Sequence, residues 1–494
     1  MRDTAMKHFL LGAAKHTLKA LGYGIAGGVA VMIVVFVLQL ERRPDLKIWH
    51  TAELDAEFTA DAAESFEDYL SIEARLFKQL DERVYTRIEP EDRRLINRYH
   101  RGSLSDPDRW SPNWNRTFEL SEKTPKAGIL LLHGMSDSPY SLRSLGQQLH
   151  SAGAWVVGLR LPGHGTAPSG LVSVKWQDMA AAVRLSMRHL RDKVGDRPLY
   201  IVGYSNGGAL AVYYAISALE DNALPSVRGM VLVSPAIGVT PLAAFAVWQT
   251  RLGRLLGLQK LAWTDILPEY DPFKYGSFAV NAGDQVYRLT VEIQSKMKTL
   301  GAGKVLEHFP PVLAFQSGVD ATVSTRALID GLFGQLPADG HELVIFDINR
   351  LSEIKQVLGQ DPIGSIEAVL RDTGLTFTMS FVTNYSEKSR RVVVLRKRPG
   401  DVKIAEMSTG LMWPKGLYSL SHVALPFSPN DPLYGGPDAG NSPGIKLGDL
   451  ALRGERGVLQ IPASAMLRLR WNPFYPYMEQ RLIEFLRLAG SDGE

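Results

Sequence analysis

The chain has 494 residues, room for one large α/β domain and accessory segments at roughly 100–200 residues per domain. Its 55 Lys and Arg against 52 Asp and Glu leave a formal charge of +3, so it has neither an acidic tail nor the clustered basic footprint that nucleic acid requires. A content of 45% apolar and 22% charged residues is globular, and the lack of cysteine excludes disulfides, thiolate metal sites and a cysteine nucleophile without fixing the compartment.

Residues 20–40 carry no charge, follow Lys19 and end before Glu41, Arg42 and Arg43. A helix of that length is about 31 Å long, enough to cross a hydrocarbon core of about 30 Å. A cleaved signal peptide would have a shorter apolar region followed by a small-x-small site. Gln39-Leu40-Glu41-Arg42-Arg43-Pro44 offers no such site. The segment therefore predicts an N-terminal transmembrane helix, with residues 1–40 as cytoplasmic tail and anchor. Arg2, Lys7, Lys15 and Lys19 precede the span and Arg42, Arg43 and Lys47 follow it, a small bias toward a cytoplasmic N-terminus. In a Gram-negative bacterium this describes a single-pass inner-membrane protein whose catalytic part is periplasmic. Gly24 and Gly28 form a G-x-x-x-G pair through which two spans could pack. The oligomeric state is otherwise open.

Residues 41–115 read as a charged connector. Within it Phe66, Leu70, Phe77, Leu80 and Val84 form a helical stripe, which predicts a helix docked on the rest of the protein. The texture changes from residue 116, the start of a domain expected to run to 494. Short apolar runs at 128–133, 154–160, 199–205, 228–234, 311–317 and 341–347 read as buried strands separated mostly by helices. That alternation predicts an α/β fold: a mostly parallel sheet with helices on both faces and ligands at the carboxyl ends of the strands. Ser138-Pro139 opens one of the helices.

Two stretches interrupt the rhythm. Residues 241–305 begin with an amphipathic run that includes Phe245, Trp248 and Leu252. Residues 348–421 are expected to hold a helix near 351–371 and a hairpin, 376–383 with 391–396, as a self-contained inserted subdomain.

Gly203-Tyr204-Ser205-Asn206-Gly207 is G-x-S-x-G, placed between an apolar strand and a predicted helix. In that context it reads as a nucleophile elbow that lifts the Ser205 hydroxyl above the sheet. A serine hydroxyl needs a base, an orienting carboxylate and two donors for the developing oxyanion. One donor is predicted to be the backbone N–H of Asn206, at the start of the helix. The other is assigned to Met135, in the His133-Gly134-Met135 loop that ends an earlier strand. His133 and His164 read as structural braces. No metal-ligand spacing, Walker-type loop or dinucleotide fingerprint is present, so neither metal nor cofactor is expected.

The segments GILLLHGMSDSPYSL, LRLPGHGTAPSG and VGYSNGGALA, in this order, resemble the α/β-hydrolase superfamily. Within it they are most similar to the carboxylesterase, monoacylglycerol lipase and serine-aminopeptidase-like (S33) branch. The anchor, the connector and the 348–421 insertion lie outside that likeness and resemble a group of membrane-attached bacterial hydrolases. The resemblance implies an α/β-hydrolase fold with a cap at 241–305 and a triad in the order Ser, Asp, His. It places the acid after the strand at 311–317, at Asp320, with Asp347 as the alternative. Of the two later histidines, His341 precedes its strand and falls at the wrong edge of the sheet. His422 is therefore the base, although 74 residues (348–421) separate it from the last family strand.

The resulting expectation is a membrane-anchored serine hydrolase that cleaves carboxylic, lipid-like acyl esters through Ser205, Asp320 and His422, with Met135 and Asn206 as the oxyanion hole. Its partners are a small-molecule or lipid ester and, through residues 20–40, a membrane; no nucleic acid is involved. A peptidase or amidase of the S33 type uses the same triad and stays open, as does acyl transfer. So does a non-catalytic α/β-hydrolase-fold scaffold.

Overall fold

The structure, a computed structural model, describes residues 40–238, 258–302, 305–338, 340–351, 364–372, 374–448 and 468–488, with scattered positions between 16 and 38. Eight of the 21 positions of the expected span 20–40 lie outside the described residues, and among the described residues no helix is long and apolar enough to cross a membrane. Phe245 and Trp248 also lie outside them, as does the first part of the helix expected near 351–371.

The apolar runs form strands β1 (Phe118–Leu120), β2 (Ala127–Leu132), β3 (Ala154–Leu159), β4 (Leu199–Tyr204) and β5 (Gly229–Val233). They continue with β6 (Trp263–Asp265), β7 (Phe278–Ala279), β8 (Val312–Ser317) and β9 (Glu342–Phe346). The last three are β10 (Thr378–Asn384), β11 (Arg391–Lys397) and β12 (Ala405–Met412). Ten of these make one sheet in the order β1-β3-β2-β4-β5-β8-β9-β10-β11-β12, while β6 and β7 pair separately. From β3 to β10 the sheet is parallel; β1, β11 and β12 are antiparallel to their neighbours.

Both faces of the central strands are buried, which is why their sequences are almost continuously apolar. Alternate residues serve two cores. Leu130, Leu132, Ile201 and Leu232 face helices α1 (Phe66–Arg83), α3 (Trp176–Val194), α4 (Asn206–Glu220) and α5 (Val280–Ala302). Ile129, Leu131, Val202 and Val233 face α2 (Arg143–Ser151) and α6 (Tyr475–Phe485). Helix α2 is entered through a 3-10 turn at Pro139–Leu142, and the Ser138 side chain makes no cap bond.

Helix α1 is the connector helix. Ser65 caps it, accepting from Asp68 N at 3.1 Å while Asp68 Oδ2 accepts from Ser65 N at 3.1 Å. Tyr69, Ile72 and Leu76 join Phe66, Phe77 and Leu80 on the buried face, and Leu70 is only half-buried. The helix docks through a charge as well. Arg160, at the end of β3, is fully buried between Glu57 Oε1 (2.9 Å) and Glu73 Oε2 (3.1 Å). A buried guanidinium needs such partners to offset its lost hydration.

The 348–421 stretch differs from expectation. Its hairpin is no separate excursion: β10 pairs in parallel with β9, Thr378 opposite Glu342 and Val382 opposite Phe346. An isolated hairpin is marginal in water, whereas the open edge of β9 offers both hydrogen bonds and two apolar layers. Val382, Val392 and Val394 bury on one side of the extended sheet, Met379 and Phe381 on the other. Strand β12, unforeseen, forms the largely exposed edge.

Candidate active site

The site is built at the carboxyl ends of β2, β4 and β8. Strand β4 ends at Tyr204, and Ser205 takes φ 53° and ψ −116° before α4 begins. A β-bearing residue in this region is strained, and the surroundings must impose it. They do so through Ser205 N, which donates to Val233 O at 2.9 Å, and Ser205 O, which accepts from Gly208 N and Ala236 N at 3.0 Å each. The turn is so tight that a β-carbon at Gly207 would sit 2.0 Å from Leu132 O. Ser205 is half-buried. Asn206 is the first residue of α4, where a backbone N–H has no intrahelical acceptor and points out of the helix end.

The loop after β2 passes directly over this elbow. A β-carbon at Gly134 would lie 3.1 Å from Ser205 Cβ and 2.7 Å from Asp137 Oδ2. Met135 follows, buried at the same place. Ser136 has a positive φ of 65° and is held by Tyr275 N, which donates to its carbonyl at 2.9 Å. Lys274 Nζ pairs with Asp137 Oδ1 at 2.7 Å, so two residues of the 241–305 insertion clasp the loop. The loop's other brace is His133. Its Nδ1 lies 2.9 Å from Gly134 O and its Nε2 accepts from Leu161 N at 3.0 Å. That pattern assigns a neutral ring protonated on Nδ1. Burial holds His133 well below its ordinary value and His164 down to about 4. His164 Nδ1 lies 2.9 Å from Pro162 O, within its own turn.

Asp320 lies in the loop after β8 and is fully used. Oδ1 accepts from Thr322 N (2.8 Å) and Val323 N (3.0 Å); Oδ2 accepts from Gln316 Nε2 (3.0 Å) and sits 2.7 Å from His422 Nδ1. Burial would raise its pKa, but the hydrogen bond and charge of His422, aided by the two N–H groups, hold the carboxyl below its ordinary value. The His422 ring lies 5.4 Å from the ring of Tyr204, the residue before the elbow serine. Among the described residues no hydrogen bond joins Ser205 Oγ to His422 Nε2. Such contacts often tighten only when substrate binds.

Residues that sequence reasoning passed over hold His422 in place. Ser317 Oγ donates to Leu420 O at 2.8 Å, and Asn349 N and Nδ2 donate to Tyr418 O (2.7 Å) and Leu417 O (2.9 Å). These are the ends of β8 and β9 reaching back to the loop that follows β12. Their only sequence signal was polarity at the end of an apolar strand. Asp347, the alternative acid, is occupied elsewhere: it accepts from Ile348 N, Arg350 and Thr383, and burial raises its pKa. His341 lies at the amino edge, where its Nδ1 accepts from Val312 N at 3.2 Å.

A cavity of about 650 Å³ opens beside His422, lined by Asp265, Leu267, Val319, Tyr418 and Arg468 among others. A second, of about 340 Å³, lies on the Asp320 side against Gly238, Ile329, Ile366 and Val369. Among the described residues, one acidic group has ligand atoms close enough for a cation, Glu89, Glu91 and Asp92. Glu89 and Glu91 are exposed and Asp92 is buried, and Lys47 Nζ already occupies the group, 2.6 Å from Glu91 and 3.0 Å from Asp92.

Residues 123–347 match the family described as serine aminopeptidase, S33. Together with the sheet order and the strained serine elbow, this match decides the architecture. The chain has an α/β-hydrolase fold. Over 117 residues this chain is 31% identical to the thermostable monoacylglycerol lipase of Bacillus sp. (strain H-257). That alignment covers 24% of this chain and 44% of the lipase, so the chain spans less than half the length of that curated relative. Similar solved structures include the metagenome-derived lipolytic enzymes LipS and LipT (20% identical, 52% of this chain, 98% of that chain, TM-score 0.37). The monoacylglycerol lipase of Paleococcus ferrophilus is another (20%, 47% and 89%, TM-score 0.35).

Proposed function

We propose that this protein is a membrane-anchored serine hydrolase that cleaves carboxylic esters with lipid-like acyl groups. The observation that carries the reading is the 2.7 Å contact between Asp320 and His422, made beside a serine elbow. With Asp320 accepting from Nδ1–H, His422 Nε2 is left free to take the proton of Ser205 Oγ as the hydroxyl attacks the ester carbonyl. The N–H groups of Met135 and Asn206 receive the oxyanion. Collapse expels the alcohol, protonated by His422, and leaves an acyl-enzyme on Ser205. Water, deprotonated by the same imidazole, then releases the acid. The residues of 241–305 act as a cap that limits access of water to the acyl group.

The anchor is part of the reading. Leu21, Tyr23, Ile25, Val31, Val34 and Leu38 are each 51–78% exposed, a concentration of exposed apolar side chains of a kind that soluble chains avoid. The charge bias around 20–40 supports a cytoplasmic N-terminus and an extracytoplasmic catalytic domain, on the periplasmic side of an inner membrane. An aminopeptidase reading is favoured by one observation, the description of the matching family. Asp265, at the cavity beside His422, would then hold the substrate's α-ammonium.

A fluorophosphonate probe on the wild type and on Ser205→Ala tests the nucleophile. The wild type is expected to be labelled and the variant not, with turnover of a 4-nitrophenyl ester falling by about 10⁴ or more. Equal labelling of the variant would remove Ser205 from the mechanism. Faster turnover of aminoacyl anilides than of acyl esters would favour the peptidase reading.

A further inference from the structure

The chain enters the domain beside the mouth of the site. Leu38 is 51% exposed, while Leu40 is buried at 8%. The Arg43 guanidinium ties the chain to the insertion: Nη1 donates to Lys260 O at 3.0 Å and Nη2 to Thr264 O at 2.5 Å. Lys260 Nζ returns to Arg43 O at 3.0 Å and pairs with Asp45 at 2.8 Å. The next residues of the same segment, Asp265 and Leu267, line the 650 Å³ cavity that holds His422. The exit point of the exposed apolar segment and the rim of the candidate active site therefore belong to one hydrogen-bonded unit. Gln259, Thr264 and Asp265 are exposed and polar, which suits contact with lipid headgroups rather than with hydrocarbon.

The opposite end of the molecule is also defined. Strand β11 runs back down the sheet, so that Lys397 lies opposite Met379 near the start of β10. The turn from 398 to 404, with Val402 88% exposed, therefore sits at the amino edge of the parallel strands, away from the site.

We propose that the 258–267 rim docks on the headgroups of the bilayer that holds the chain's own 20–40 segment. The cavity beside His422 then opens at the membrane surface, and the ester it takes is a lipid of that same membrane, drawn in without its acyl chain crossing bulk water. The inference rests on the reading of the chain as an anchored serine esterase. It adds a membrane-facing surface and the source of the substrate.

The absence of cysteine makes site-specific labelling direct. Asp265→Cys, Gln259→Cys and Val402→Cys, each in the full chain, are labelled with an environment-sensitive fluorophore. They are reconstituted in phosphatidylethanolamine–phosphatidylglycerol vesicles and floated on a gradient. The proposal expects headgroup spin-labelled lipid to quench the labels at 259 and 265 at least twofold more than the label at 402. Protein that floats with the vesicles but shows equal quenching at all three sites would overturn the docking while leaving the anchor intact. Protein that stays at the bottom of the gradient overturns the anchor, and the docking with it. Ester turnover enters neither readout, so failure of the catalytic reading is separately visible.

Discussion

Gly134→Ala probes the loop over Ser205, the proposed nucleophile. Gly134 is not among the positive-φ glycines, so the backbone tolerates a side chain there and the effect must come from contacts. The new methyl would meet Ser205 Cβ at 3.1 Å, against a normal carbon–carbon separation of about 3.5–4.0 Å. It would also meet Asp137 Oδ2 at 2.7 Å, and that carboxylate is pinned by Lys274. The loop must therefore retreat by about 0.5 Å, the tolerance within which a catalytic constellation has to be held. Met135 N–H moves with it. Displacing one oxyanion donor costs about 10²-fold or more in kcat, or about 2.7 kcal/mol and upward. The expectation is a fall of about 10² in kcat for a short 4-nitrophenyl ester, with KM within about threefold and the thermal midpoint nearly unchanged. The assay is steady-state kinetics beside a thermal melt of the same preparation. A variant that keeps more than a third of wild-type kcat would refute the oxyanion role of this loop. Loss of the folded state would also refute the reasoning, since it would mean that the 0.5 Å cannot be absorbed locally.

Asp320→Asn removes the charge that orients His422 and stabilises its protonated form. It is expected to lower kcat by about 10³–10⁴, while Asp347→Asn leaves kcat/KM within about threefold; the opposite order in ester kinetics would exchange their roles. Lys274→Met leaves the Asp137 carboxylate buried without its cation. Urea unfolding should show a loss of about 1–3 kcal/mol, and adding Asp137→Asn should restore most of it; additive losses in that cycle would deny the coupling. Burial holds His164 down to about 4 against an ordinary 6.5, so the unfolded chain takes up its proton first. The stability from the neutral ring is full above about pH 6.5, declines as the pH drops, and is exhausted near pH 4; at pH 5 the deficit is about 2 kcal/mol. His164→Gln should shrink the difference between urea midpoints at pH 7 and pH 5 by that amount, and an unchanged difference would show that another group governs acid sensitivity.

Much of the fold was legible because the signals were local. The runs at β2, β4, β5, β8 and β9 are apolar on both faces, and only a strand covered on both sides is built that way. Gly203, Ser205 and Gly207 announced the elbow because a turn with a β-carbon 2.0 Å from Leu132 O admits nothing larger than glycine. Asp320 and His422 were named from chain order and resemblance, but their contact across 102 residues is a property of the tertiary structure alone. The same holds for Ser317 and Asn349, which reach the His422 loop from strands that merely happen to end beside it. It holds too for Lys274 and Tyr275, whose grip on Ser136 and Asp137 depends on where the insertion folds back. The hairpin at 378–397 carried a correct strand pattern with no sign of its destination. A strand pattern in sequence records which faces are buried, whereas which edge supplies the hydrogen-bonding partner is settled only when β9 presents one. Strand β12 left no trace, because an exposed edge strand needs no apolar pattern: its backbone pairing with β11, not its side chains, makes it a strand.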